Sequence, residues 1–158
     1  MKKITNFGFT LIELLVVISI IGVLAALVTV SFTASQRQAR DAARKSDLKQ
    51  YQTSLEAYAN KNSGLFPSRP DASGATASTT LCTDLGLTTC PEDAKFTNDA
   101  TYIYKYQSDG SVSNGTAVAT SYVLWAKMEN ITGYWVFCSN GKSGSRASGS
   151  VSGGTCPL

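Results

Sequence analysis

Glu13 is the charge in this chain that most needs a reason. It is the only ionisable residue in FTLIELLVVISIIGVLAALVTVSF, the 24 residues from Phe9 to Phe32. A carboxylate held in hydrocarbon costs at least about 2.5–3.5 kcal/mol, so it needs a cationic partner or a route to water. Cys82, Cys90, Cys138 and Cys156 are the second reactive set, and all four lie beyond the apolar stretch. An even number of thiols there reads as two disulfides made in an oxidising compartment. Of the three possible pairings, Cys82–Cys90 with Cys138–Cys156 closes two local loops without nesting. The second bridge would pin the carboxy-terminal tail and stabilise by about 3 kcal/mol on loop-entropy grounds. Metal binding by these thiols is the competing reading, disfavoured by the absence of a CxxC pair. Histidine is absent, which excludes Ser-His-Asp and Cys-His catalysis and the commonest zinc ligand. No acid–base pair or activated nucleophile emerges, so we expect no catalytic residues, no cofactor, no metal and no enzyme.

These residues must be positioned by elements the pattern makes plain. At about 1.5 Å per residue, a helix over residues 9–32 covers roughly 36 Å, enough to cross a bilayer's hydrocarbon core. Ser19, Gly22, Ala26 and Thr29, spaced 3, 4 and 3, share one helical face, either as ordinary membrane composition or as a seam where backbones approach closely. Residues 33–62 become polar without a Gly or Pro, and Leu48, Tyr51, Leu55 and Tyr58 form a one-sided apolar stripe. Asp41 and Lys45 stand as an i,i+4 ion pair. One helix of roughly 80 Å is therefore expected from Phe9 to Asn62, stopped at Asn62-Ser63-Gly64.

Residues 63–158 read as a globular head. The segment 63–100, with Pro67, Pro70 and Pro91, is loop-rich. Strand signals follow at Thr101–Gln107, Thr120–Met128 and Gly133–Cys138, separated by turn-rich segments, so 101–138 predicts an antiparallel meander. The tail, 139–158, is rich in Ser and Gly and is expected to be irregular. The fold class is α+β: a long N-terminal helix packed on a small antiparallel sheet.

In front of the apolar stretch stands a basic octapeptide, MKKITNFG, carrying Lys2 and Lys3 and ending at Gly8, and Phe-Thr-Leu-Ile-Glu follows. This arrangement resembles the class III leader of type IV prepilins. An ordinary secretory signal would keep its apolar run to about 7–15 residues and be cut after it. The resemblance covers the first third of the chain closely. Beyond that, the plan looks like a type IV pilin or type II secretion pseudopilin head.

The resemblance implies a leader of residues 1–8, cleavage between Gly8 and Phe9 by a prepilin peptidase, and N-methylation of Phe9 by the same enzyme. It implies that Glu13 guides assembly by meeting the Phe9 ammonium of a neighbouring subunit, whereas a Glu that merely snorkels to the headgroups is the plainer alternative. Many pilins carry a proline further along this helix; here Val30 and its neighbours are not proline, which puts local melting near Gly22 in doubt. Partners implied are identical or related subunits, the peptidase, the inner-membrane assembly platform with its ATPase, and lipid before assembly. Arg37, Arg40, Arg44, Lys45 and Lys49 follow the apolar run, yet long domains translocate largely regardless of charge. The expected location is single-pass in the cytoplasmic membrane with the head outside, then a surface filament.

Three functions compete: a surface pilus subunit for adhesion, motility or DNA uptake, a secretion pseudopilin, and a DNA-binding competence pilin. Some pseudopilins hold calcium with carboxy-terminal carboxylates, but no Asp or Glu follows Glu129. The net charge is +3 and falls to near +1 without Lys2 and Lys3, which disfavours DNA. Tyr102, Tyr104, Tyr106, Tyr122, Trp125, Tyr134 and Trp135 could stack bases, but strand alternation should divide them between core and outer face. The sequons at Asn114 and Asn130 carry no weight.

Overall fold

The computed structural model describes residues 8–147, 151 and 153–158, without the side chains of 27–31. Lys2 and Lys3 and the side chain of Thr29 therefore lie outside the described residues. The chain forms two compact units, one ending at Arg37 and the other running Gln38–Leu158, each taken by itself below.

Helix α1 runs Leu11–Lys61. It stops where Ser63 and Gly64 turn to positive φ (57° and 82°) and the Gly64 N–H caps the Ala59 carbonyl at 2.8 Å. Among the described residues no helix is long and apolar enough to cross a membrane. The stretch that the sequence marks as a span, 9–32, includes 27–31, whose side chains are not described.

In the second unit, short strands β1 (Phe66–Pro67) and β2 (Ala75–Thr76) are followed by a π-turn at Ala77–Leu81 and by α2 (Cys82–Asp84). Then come β3 (Lys105–Ser108), β4 (Ala117–Ala119), β5 (Tyr122–Lys127), β6 (Tyr134–Cys138) and β7 (Ser143–Arg146). β1 pairs with β4, and the remaining strands form one antiparallel sheet ordered β2-β3-β5-β6-β7. The fold is α+β, as expected.

Period-two alternation splits the sheet between two cores. Tyr106, Tyr122, Leu124 and Ala126 point to one side and pack with Leu48, Tyr51 and Leu55 of α1. Val123, Trp125, Val136 and Cys138 point to the other, under Val151 of the tail. Buried tyrosines need partners for their hydroxyls. Tyr51 reaches the Pro91 carbonyl, Tyr106 the Pro67 carbonyl, both at 2.7 Å, and Tyr104 reaches Asp47 at 2.6 Å. These bonds tie the loop-rich segment to the helix and sheet.

Three expectations need correction. The first strand begins at Lys105, not Thr101, because Asp99 makes a turn: its carboxylate accepts from the Thr101 N–H and its carbonyl from the Tyr102 N–H. The tail is not wholly irregular, since Ser143–Arg146 pairs with β6 after a tight turn at Gly141 (φ 82°). Backbone pairing there needs no apolar pattern. Asp41 does not pair with Lys45, as described next.

Candidate functional site

Thr10 precedes the first turn of α1, and Glu13 stands three residues on, the spacing of a capping box. The Thr10 N–H and hydroxyl donate to Glu13 Oε2 at 2.9 and 2.7 Å, and the Glu13 N–H donates to Thr10 Oγ1 at 3.3 Å. The carboxylate thus has neutral partners within its own turn and no cation among the described residues. Phe9 and Leu11 are each 88% exposed, and a Cβ built on Gly8 would meet nothing within 4 Å. Among the described residues, nothing packs against the bond between residues 8 and 9. The T-x-x-E pattern at Thr10–Glu13 is the sequence signal of this cap.

Along the helix, Ser19, Gly22 and Ala26 fall on one exposed face. The Ser19 hydroxyl donates back to the Leu15 carbonyl at 2.8 Å, so it offers little polarity outward. A Cβ built on Gly22 would meet nothing within 4 Å beyond its own helix backbone. Ser19, Ile20, Val23 and Leu24 line a shallow depression of about 290 Å³. Large apolar side chains stay exposed from Leu11 through Leu24, a surface that water alone does not explain.

The disulfides are Cys82–Cys90, with Cα atoms 6.0 Å apart, and Cys138–Cys156, at 5.5 Å. The first closes the loop after α2. The second holds the tail across the back of the sheet, helped by the Arg146 guanidinium on the Pro157 carbonyl at 2.8 Å. Gly154 (φ 69°) lies so close to β3 that a Cβ would stand 2.5 Å from the Asp109 nitrogen.

A buried ionic network, absent from the sequence reading, joins α1 to the loops that face it. Arg44 is buried; its Nε donates to Asp93, its Nη1 to Asp41 at 2.7 Å, and its Nη2 lies 2.8 Å from Glu129. Arg40 grips Glu129 with two bonds at 2.7 and 2.8 Å, and Lys95 adds a third cation at 3.2 Å. Asp41 also accepts the N–H groups of Glu129 and Asn130, both at 2.9 Å. Lys45, left without that partner, lies 3.8 Å over the Trp135 ring.

Three cations thus meet three carboxylates. Hydrogen bonding from Arg40 outweighs burial and, with Arg44 and Lys95, brings Glu129 down to about 2. Burial would raise Asp41, but the two N–H groups and Arg44 outweigh it and lower its pKa. Such a network compensates its own charges. It places the β5–β6 turn and the Asp93 loop against the helix.

The aromatic residues do not form one platform. Tyr104, Tyr106 and Tyr122 are buried on the helix side, Trp125 on the opposite face, and Tyr102 is packed 4.5 Å from the Arg44 guanidinium. Asn114 is exposed and accepts the Thr116 N–H at 3.0 Å as a turn. No group of side chains suited to a metal ion is found among the described residues.

Among known families, residues 5–29 match the model of the prokaryotic N-terminal methylation motif. That motif marks a class III leader of the type IV pilin and pseudopilin kind, and it implies processing by a prepilin peptidase, membrane anchoring and later assembly at the surface. No curated protein matches the chain.

Proposed function

We propose that this chain is the structural subunit of a type IV pilus-like surface filament, polymerised through its N-terminal helix. The observation that carries the reading is Glu13, a lone acid at the head of an exposed apolar helix, five residues beyond Gly8 in a methylation motif. Peptidase cleavage after Gly8 frees an ammonium on Phe9, which is then methylated. Among the described residues of one subunit, Glu13 is satisfied by Thr10 alone. Within a bundle of such helices, the Phe9 ammonium of one copy and the Glu13 carboxylate of another compensate each other in low dielectric. Ser19, Gly22 and Ala26, with Thr29, form the face along which helices pack. The head stays outside and is carried to the surface by assembly on the inner-membrane platform and its ATPase. The role is structural, with no reaction catalysed.

The test compares wild type with Glu13→Val. Intact mass of membrane-extracted protein should show loss of residues 1–8 and a methyl group on Phe9 in both. Membrane levels should match, because removing a charge from an apolar helix eases insertion. Sheared surface filaments should fall to a few per cent or less. Normal filament yield from the variant would overturn the reading.

A further inference from the structure

Val151 and Cys156 of the tail pack with Val123, Val136 and Cys138 on the back of the five-stranded sheet, and the same face continues toward the β5–β6 turn. There Lys105 stands opposite Trp125, and Lys127 opposite Tyr134, which in turn faces Arg146 on β7. Strand alternation puts all five on one face. Of these, Lys105, Trp125 and Tyr134 line a pocket of about 320 Å³, with Ser73, Thr101 and Ile103.

The pocket is built rather than incidental. Its wall is the turn before β2, where Gly74 (φ 69°) touches the Trp125 ring so closely that a Cβ would stand 2.4 Å from Cη2. The Gly74 carbonyl accepts from Lys105 Nζ at 3.2 Å, which fixes the ammonium at the pocket and leaves it two further protons to donate. Lys127 donates to Thr101 Oγ1 at 2.7 Å. Asp99 beside Thr101 accepts from the Thr101 N–H and hydroxyl. No carboxylate lines the pocket, and among the described residues no ion pair engages Lys105, Lys127 or Arg146.

A site of this size takes a ligand of one or two rings. Its ammonium is a point charge, suited to a single carboxylate or sulfate; no guanidinium lines it to fork a phosphate. Its hydroxyls, with the half-buried Tyr134 ring, suit a flat unit rich in hydroxyl groups; the Trp125 ring is 3% exposed and covered by Gly74, so one open ring does not make the stacked series that bases require. We propose that this pocket binds an anionic sugar unit of an acidic polysaccharide, with Lys105 meeting the charge and Tyr134 the ring. The site lies wholly within the head and does not depend on polymerisation through Glu13.

The experiment is calorimetric titration of the full chain in detergent with an oligogalacturonate, a sulfated oligosaccharide and a neutral malto-oligosaccharide of equal length. One of the two acidic oligomers should bind, and the one that does identifies carboxylate or sulfate as the anion. Lys105→Ala should weaken it by about tenfold or more, the loss of one charge-assisted contact. Lys105→Arg should retain most of the affinity, and Lys49→Ala, on the helix, should change nothing. The proposal is overturned if neither acidic oligomer binds, if the neutral one binds as well, or if Lys105→Ala binds like wild type. It also fails if single-stranded DNA competes as strongly through Lys105, which would make the pocket a general polyanion patch.

Discussion

Replacing Arg44 by Met should unfold the head at markedly lower temperature, although it exchanges a buried charge for a side chain of similar length. The partners it leaves behind fare differently. Glu129 keeps Arg40 and Lys95, and Asp41 keeps two backbone N–H groups. Asp93, whose side chain is 3% exposed, keeps only the Lys95 N–H at 2.8 Å. One buried carboxylate without a cation costs about 3–5 kcal/mol, which for a domain of this size lowers the midpoint by roughly 6–20 °C. Both tryptophans, Trp125 and Trp135, lie in the head, so their fluorescence in the detergent-solubilised full chain reports its unfolding without contribution from residues 1–37. Adding Asp93→Leu to Arg44→Met removes the stranded charge and should recover half or more of the loss. A single variant within about 1 kcal/mol of wild type, or a double variant no better than the single, would refute the account of a network held together by mutual compensation.

Glu129 makes the same network sensitive to acid. Its carboxyl is depressed to about 2, so the stability it contributes is fully present above its unfolded value near 4.5 and is lost as pH falls through 2. The loss amounts to about 3 kcal/mol at most, and Glu129→Gln should flatten the stability–pH curve across that window, measured by denaturant titration at successive pH values. Cys138→Ser with Cys156→Ser opens a bridge spanning 18 residues and should cost about 3 kcal/mol. It should also speed hydrogen exchange in β5 and β6 beneath the released tail; unchanged exchange there would mean that the tail is held by its other contacts.

The parts legible in the sequence are those set by neighbours a few residues apart. The spacing of Leu48, Tyr51 and Leu55 put one face of α1 in the core, and all three are buried there. Gly64 marked the end of the helix because a positive φ is cheap only for glycine or a few polar residues. What stayed hidden depends on pairing across long separations. Arg44 meets Asp93 49 positions on, and Arg40 meets Glu129 89 positions on. Nothing in the pattern near Asp41 says that its partner is Arg44, three residues away, rather than Lys45 at the more familiar four. The strand at Ser143–Arg146 was hidden for a different reason. Its pairing is backbone to backbone, and Ser-Gly-Ser-Arg offers no alternation to read.

Charge is handled in opposite ways in the two units, and that contrast bears on assembly. In the head, three acids and three bases converge and satisfy one another, so nothing in that network is left for a partner to complete. In the helix before Arg37, one acid stands among exposed apolar side chains with, among the described residues, only a threonine for company. A capping box satisfies the geometry of a carboxylate but leaves its charge uncompensated. In water that is cheap, because solvent supplies the missing polarisation. Once apolar faces close around the helix the solvent is gone, and a cation at the same depth becomes the least costly remedy. The free ammonium that the proposed cleavage would create on Phe9 has the converse need. A head complete in itself and a helix complete only in company fit a subunit whose fold and polymerisation are separately encoded, which is why Glu13→Val should spare the first and abolish the second.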